Sequence, residues 1–269
     1  MVNKIPLLMT ASVSTRNMKG ACFSDAEREK MYLETILFYK QKLLEKKKDN
    51  YKIVFVENSG WDLQRFSIQV QEFVGLSIEF ISLDPAFFDI SKGKGYNELL
   101  LINEAIKKSE FIRKAKAFVK VTGRYPIYNI RYFIDVSSDL IRRNNVDLYI
   151  DIKDHKLYDF LRLHMCGHAA DVRLFATTVP FYQENISDKY VQLNDYGGIM
   201  LEGIMYNLVK SLRNKYHIVC RFRREPHFGG IEGSNVKAVT FTKNQDSFIG
   251  KVKRLTGNFI RWFIPFFWF

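Results

Sequence analysis

Four apolar runs in the first half of this chain, residues 5–11, 51–56, 78–83 and 117–121, alternate with stretches whose apolar residues recur at helical spacing. Short, nearly continuous apolar runs suit strands buried on both faces, and such strands arise where helices cover both sides of a parallel sheet. The resulting β-α-β-α-β-α-β order predicts an α/β, Rossmann-like fold. Its central sheet should be mostly parallel and flanked by helices, with right-handed crossovers and ligand at the carboxyl ends of the strands. Ser24 or Asp25 can cap the first helix, whose apolar positions include Met31, Leu33, Ile36, Leu37 and Phe38 and which runs into Lys46-Lys47-Lys48. A short helix precedes the third strand, and a longer one is expected over residues 98–115.

The second half is more mixed. Helices are expected over 130–142 and 198–213, and strands over 147–152, 172–178 and 217–222, so the sheet continues. With no internal repeat or low-complexity linker, one catalytic domain of residues 1–245 is expected, followed by a tail of residues 246–269.

Composition narrows the class. A net charge of +12 over 269 residues suits nucleic acid, anionic lipid or a phosphorylated small molecule, and charge alone does not choose among them. The three scattered cysteines, Cys22, Cys166 and Cys220, form no CxxC pair and favour a reducing compartment. The N-terminus reads as a first strand, without a signal-peptide cleavage pattern. No apolar run reaches the roughly 20 residues that span a bilayer.

The tail differs in kind. Lys251, Lys253, Arg254 and Arg261 are interleaved with Phe248, Ile249, Val252, Leu255, Phe259, Ile260, Trp262 and Phe263, and Phe266-Phe267-Trp268-Phe269 follow Pro265. A basic amphipathic segment ending in aromatics suits an anionic membrane interface. A terminal helix docked on the domain's own core is the alternative.

Residues 92–124 combine a basic glycine loop (Lys92-Gly93-Lys94-Gly95), a helix, and a strand ending in Lys120-Val121-Thr122-Gly123-Arg124. Glycines beside lysines let backbone approach a phosphate, and a strand end exposing an arginine is where α/β proteins bind ligands.

At Glu57-Asn58-Ser59-Gly60, Gly93-Lys94-Gly95-Tyr96 and Lys120-Val121-Thr122-Gly123-Arg124 the chain resembles bacterial glycosyltransferases of the GT-A type that build capsule and O-antigen (lipopolysaccharide) polysaccharide. The pattern continues at Asp171-Val172-Arg173, Gly198-Ile199-Met200-Leu201-Glu202 and Gly230-Ile231-Glu232-Gly233-Ser234. The resemblance covers residues 6–237. It implies a GT-A fold and transfer of a hexose from a nucleotide-diphosphate donor, UDP foremost, to a lipid-linked or polysaccharide acceptor. It also implies a peripheral enzyme on the cytoplasmic face of the inner membrane, with no nucleic-acid partner.

The residues suggest roles of their own. Thr10, Ala11 and Ser12 follow the first strand and leave room for a nucleoside, and Glu57 and Asn58 can hydrogen-bond base or ribose, although Asn-Ser-Gly also favours a plain turn. Lys94 and Arg124 can neutralise a diphosphate, Arg124 by bidentate contact. Gly95 and Gly123 allow close approach, and Lys120 and Thr122 alternate on one strand face towards the same cleft. Glu202 is the candidate general base, as a carboxylate able to accept a hydroxyl proton; a plain helix-start glutamate is the bland alternative. Asp171 is the second catalytic candidate and Asp195 the third, while Arg173 and Asp171 can instead bind donor hydroxyls. His227, Gly229, Gly230, Gly233, Ser234 and Lys237 form a late loop able to close over the diphosphate.

Many enzymes of this type carry an Asp-x-Asp metal motif where Thr122-Gly123-Arg124 stands. Arg124 with Lys94 can then supply the charge neutralisation. Asp147 and Asp151, with Asp154 and His155 following, are the remaining candidates for Mg²⁺ or Mn²⁺. His164, Cys166 and His168 match no common zinc spacing. The competing readings are a nucleic-acid-binding protein, against which stands the lack of a recognisable motif, and a non-catalytic membrane-associated scaffold.

Overall fold

A computed structural model describes residues 4–19, 21–45, 50–70, 76–154, 168–230 and 247–263. Its elements follow as β1 (Leu7–Ala11), α1 (Asp25–Leu44), β2 (Tyr51–Glu57), α2 (Gln64–Val70), β3 (Leu76–Ser82), α3 (Lys94–Lys108), α4 (Glu110–Ala115) and β4 (Ala117–Thr122). The second half adds α5 (Ile130–Asn144), β5 (Leu148–Lys153), β6 (Ala169–Thr178), α6 (Val179–Asn185), α7 (Leu201–Leu212), β7 (Ile218–Val219) and α8 (Phe248–Phe263).

Seven strands form one sheet in the order β3-β2-β1-β4-β6-β5-β7. The first four are parallel, β6 runs antiparallel to both β4 and β5, and β7 is parallel to β5. Every residue of β1 is buried, as its unbroken apolar run demands. One core face holds Ile36 and Tyr39 of α1, Phe66 of α2 and Phe133 of α5. The other holds Leu99 and Ile102 of α3, Ile112 of α4, Phe181 of α6 and Met205 of α7. The chain builds outward from β1 to β2 and β3, then crosses back to lay β4 on the other side of β1. That reversal opens a crevice at the carboxyl ends of β1 and β4.

Several boundaries differ from expectation for identifiable reasons. Helix α1 starts with a full capping box, Ser24 accepting the Glu27 N–H while the Glu27 carboxylate accepts the Ser24 N–H. Its buried stripe is Arg28, Tyr32, Thr35, Ile36, Tyr39 and Leu43, and Leu37 faces solvent. The expected single helix over 98–115 is two, because Ser109 turns extended and its hydroxyl caps α4 through the Ile112 N–H. The presumed basic loop is the start of α3, with Lys94 already helical. The last expected strand shrinks to Ile218–Val219.

Helix α8 does not dock by its apolar side. Arg261 reaches the buried Asp151 at 3.0 and 2.9 Å, Asn258 accepts the Glu225 N–H at 2.8 Å, and Arg254 meets His227 at 3.1 Å. The opposite face carries Phe248, Ile249, Val252, Leu255, Phe259, Trp262 and Phe263, all exposed. The alternative of a terminal helix docked on the domain is thus met in part, through polar contacts and with the apolar face left outward.

Candidate functional site

The crevice is a cavity of about 390 Å³ at the strand ends, within the range of small-molecule sites. Thr10 and Ala11 at the end of β1, Ser12 after it, Asn58 after β2, Thr122 at the end of β4 and Arg124 after it form its sheet side. Lys94 and Gly95 of α3, Arg173 of β6 and Glu202 of α7 complete it. These ten residues, singled out from sequence, are brought together by the fold. Gly123 underlies them: it donates to Thr10 O at 2.9 Å, and a Cβ there would lie 2.9 Å from the same oxygen.

Other candidates are used differently. Glu57 is fully buried, and its carboxylate accepts from the amides of Val13, Ser59 and Trp61 at 2.9–3.0 Å and from the Ser59 hydroxyl. It ties the loops after β1 and β2 together and does not line the cavity, so a ribose or base contact is corrected to an anchor. Lys120 is 0% exposed and bonds Glu98 at 2.5 Å, Val172 O at 2.7 Å and Thr122 Oγ1 at 3.2 Å. It shares its strand face with Thr122 as expected, but its charge is spent on Glu98 beneath the cavity wall. Asp171 grips its own neighbour Arg173 through two bonds of 2.8 and 2.7 Å. Burial pushes the Asp171 carboxyl up, but the Arg173 bonds and charge outweigh it and hold it below the usual range. A carboxylate held that way is a poor proton acceptor, so Asp171 is corrected from base to positioner of Arg173.

The late loop is only partly accounted for. Gly233, Ser234 and Lys237 lie outside the described residues, as do His155, His164 and Cys166. His227 faces α8 and Tyr128 instead of the cavity. Gly230, at φ +86°, passes beside Arg124 O without lining the cavity.

Asp195 explains the glycines before α3. Its Oδ2 accepts the amides of Lys94 at 2.6 Å and Gly95 at 3.0 Å, and a Cβ on Gly93 would meet its Cβ at 2.6 Å and its carboxyl group at 2.7–2.8 Å. The amides expected to cradle a phosphate hold this carboxylate at the helix start instead.

Cations and acids divide the cavity. Arg28, missed in the sequence, is buried in α1 with its guanidinium donating to Ser12 O and Val13 O. Its signal was a charged residue in phase with the stripe Tyr32, Ile36, Tyr39. Burial lowers its pKa; Arg124 adds to the fall and Tyr32 opposes it. Lys94 is exposed as a residue, yet partial dehydration and the charges of Arg124 and Arg28 hold its ammonium below the usual lysine range. Arg124 donates to the Tyr125 hydroxyl at 3.3 Å from Nη2, while its Nη1 is buried without a partner. On the acid side, loss of hydration raises the Glu202 carboxyl, Glu98 and Asp195 add to the rise, and Lys120 opposes it. Glu98, also missed, accepts from Thr10 Oγ1 at 3.1 Å.

The described residues around the cavity do not fit a divalent metal. Among the described residues no cluster of three or more His, Cys, Asp or Glu side chains is arranged to hold one. Asp195 is committed to two amides and Glu98 to Lys120. The proposed ligands on and beside β5 are corrected as well: Asp147 accepts the His217 amide at 3.0 Å, Asp151 holds Arg261, and Asp154 holds Lys210 at 2.8 Å.

No family model matches this sequence, and no curated protein matches it. Among solved structures the chain is similar to the bifunctional glycosyltransferase WbbM, with a TM-score of 0.47 and 12% identity over 82% of this chain and 39% of that one. It is also similar to the galactosyltransferase LgtC in complex with donor and acceptor sugar analogues, with a TM-score of 0.45 and 10% identity over 81% and 74% of the two chains. A third likeness is to the mannosyltransferase PcManGT from Pyrobaculum calidifontis in complex with GDP-Man and Mn²⁺, with a TM-score of 0.43 and 11% identity over 97% and 64%. The chain thus spans about two fifths of the first enzyme's length.

Proposed function

We propose that this chain is a GT-A-type glycosyltransferase that moves a hexose from a nucleotide-diphosphate donor to a lipid-linked glycan in bacterial surface-polysaccharide synthesis. The observation that carries it is one cavity at the carboxyl ends of β1 and β4, lined by Glu202 together with Arg28, Lys94 and Arg124. Small residues after β1 leave space for a nucleoside, and Asn58 offers it hydrogen bonds. Glu202 takes the proton of an acceptor hydroxyl as that oxygen bonds the anomeric carbon. The bond from the anomeric carbon to the phosphate oxygen breaks at the same time, and its electron pair leaves with the nucleoside diphosphate. A single displacement of this kind inverts the anomeric configuration. Loss of hydration raises the carboxyl of Glu202, which makes it a stronger base than an ordinary glutamate.

Residues 246–269 complete the reading as a membrane attachment. The docked polar face of α8 leaves its apolar face pointing outward, among the basic residues Lys251 and Lys253. No helix of the described residues is long and apolar enough to cross a bilayer, whereas an interfacial helix needs only such a face. The enzyme is placed on the cytoplasmic side of the inner membrane, where nucleotide sugars and lipid-linked acceptors meet.

Calorimetric titration of the full chain with UDP-, GDP-, CMP- and dTDP-sugars, followed by product analysis with a lipid-linked acceptor, tests this. Binding of one donor series and a product of inverted anomeric configuration are expected. A product that retains the donor configuration would remove Glu202 from the role of base in a single displacement.

A further inference from the structure

We propose that Arg28, Lys94 and Arg124 neutralise the donor's diphosphate directly, so that donor binding and transfer proceed without a divalent cation. The proposal rests on the glycosyltransferase reading and specifies how its leaving group is held.

Three separate elements bring the cations to one cavity: Arg28 from α1, Lys94 from the first residue of α3, and Arg124 from the turn after β4. The three feel one another, since Lys94 is depressed by both arginines and Arg28 by Arg124. Like charges collected around a cavity are unfavourable in the absence of a counter-charge, and they become favourable once an anion enters. Arg28 is fixed in place, its Nε bonded to Ser12 O at 2.8 Å and Val13 O at 3.1 Å. Arg124 brings an unsatisfied donor, its Nη1, which is buried and unpartnered. Buried donors without partners are rare, and a phosphate oxygen is a fitting one for a guanidinium.

The same geometry argues against a bridging metal. A divalent ion needs several oxygen ligands. In the cavity, Asp195 already serves two amides and Glu98 already serves Lys120. A third carboxylate, Glu202, is needed for the acceptor proton. An ion there would also face the three cations at close range. As the bond between the anomeric carbon and the phosphate oxygen breaks, the electron pair settles on the terminal phosphate. Arg124 and Lys94 stabilise that charge by charge-assisted hydrogen bonds.

Titration of the full chain with UDP, GDP and inorganic pyrophosphate, in EDTA and again in excess Mn²⁺, tests the proposal. Binding of at least one probe in EDTA is expected, with affinity in Mn²⁺ no more than about threefold tighter. Arg124→Ala and Lys94→Ala should each weaken binding in EDTA by about tenfold or more, at unchanged melting temperature. Binding that requires Mn²⁺, or that survives Arg124→Ala unaltered, overturns the direct contact while leaving the glycosyltransferase reading intact. Failure of every probe in both conditions overturns that reading and the proposal with it.

Discussion

The carboxylate of Asp195 accepts the backbone N–H of Gly95 at 3.0 Å across a sequence separation of 100 residues. The same oxygen takes the Lys94 amide, so one acidic side chain satisfies two of the orphan donors at the start of α3 and fixes where Lys94 emerges. Asp195→Ala should lower unfolding stability by about 1–2 kcal/mol. Gly93→Ala should cost about 1–3 kcal/mol, because its φ of +92° strains any L side chain and its Cβ meets Asp195. In denaturant titrations the double variant should lose less than the sum, since Asp195→Ala removes the carboxyl part of the clash and leaves only the contact with Cβ. Strict additivity would show that the two do not interact as described.

Glu202→Gln keeps the shape of the side chain and removes its basicity. Transfer should fall by about 100-fold or more while nucleotide affinity is retained. In the unmodified enzyme the base works only when ionised. Because its carboxyl is raised in the free enzyme, the acid limb of kcat/KM should lie above the ordinary glutamate range. A limb at the ordinary value, or near-normal turnover in the variant, would place the base elsewhere.

Lys120 acts on that limb from beneath. Its ammonium favours the ionised form of Glu202 and neutralises Glu98 at 2.5 Å. Lys120→Met removes the positive charge, so ionising Glu202 then needs higher pH and the acid limb should move upward. Leaving the half-buried Glu98 unpaired should also lower stability by about 1–3 kcal/mol. An unmoved limb in a folded variant would disconnect Lys120 from the site.

Asp151→Ala should release α8. Arg261 loses both carboxylate bonds, leaving its contact to Phe222 O and the Asn258 and Arg254 contacts to hold the helix. Hydrogen exchange in residues 248–263 should accelerate more than in β1, and about 3 kcal/mol of stability should be lost. Unchanged exchange would show that the pair does not hold the helix.

Leu255→Glu and Phe259→Glu alter only the exposed face of α8. Each should leave the melting temperature nearly unchanged, since surface substitutions usually stay within about 0.5 kcal/mol. Each should weaken binding to phosphatidylglycerol vesicles by about tenfold or more, because burying such a side chain in lipid contributes about 1.5–3 kcal/mol. Equal co-sedimentation of variant and parent would exclude α8 as the contact.

Much of the scaffold was legible because local periodicity records burial. The runs that became β1, β2 and β4 were readable as buried strands, and Ser24 or Asp25 marked the start of α1. The placement of Thr10, Asn58, Thr122 and Arg124 at strand ends followed from the same order. Strand direction in the second half was less legible, since an apolar run looks alike whichever way it runs, and β6 turned out antiparallel.

Apart from Asp171 and its near neighbour Arg173, charge pairing at the site could not be read locally. Lys120 and Arg124 sit on the same strand–turn segment, yet the fold sets Glu98 against the first and leaves Nη1 of the second without a partner. Asp151 and Arg261 are 110 residues apart, so nothing near Asp151 in sequence announced a basic partner. The chain by itself therefore determined its alternating strands and helices, its first cap, and the strand ends where a ligand would enter. Only the tertiary structure decided which charges are spent within the protein and which are left for a ligand. The reason is physical: burial follows a local pattern, whereas an ion pair depends on what the rest of the fold brings within reach.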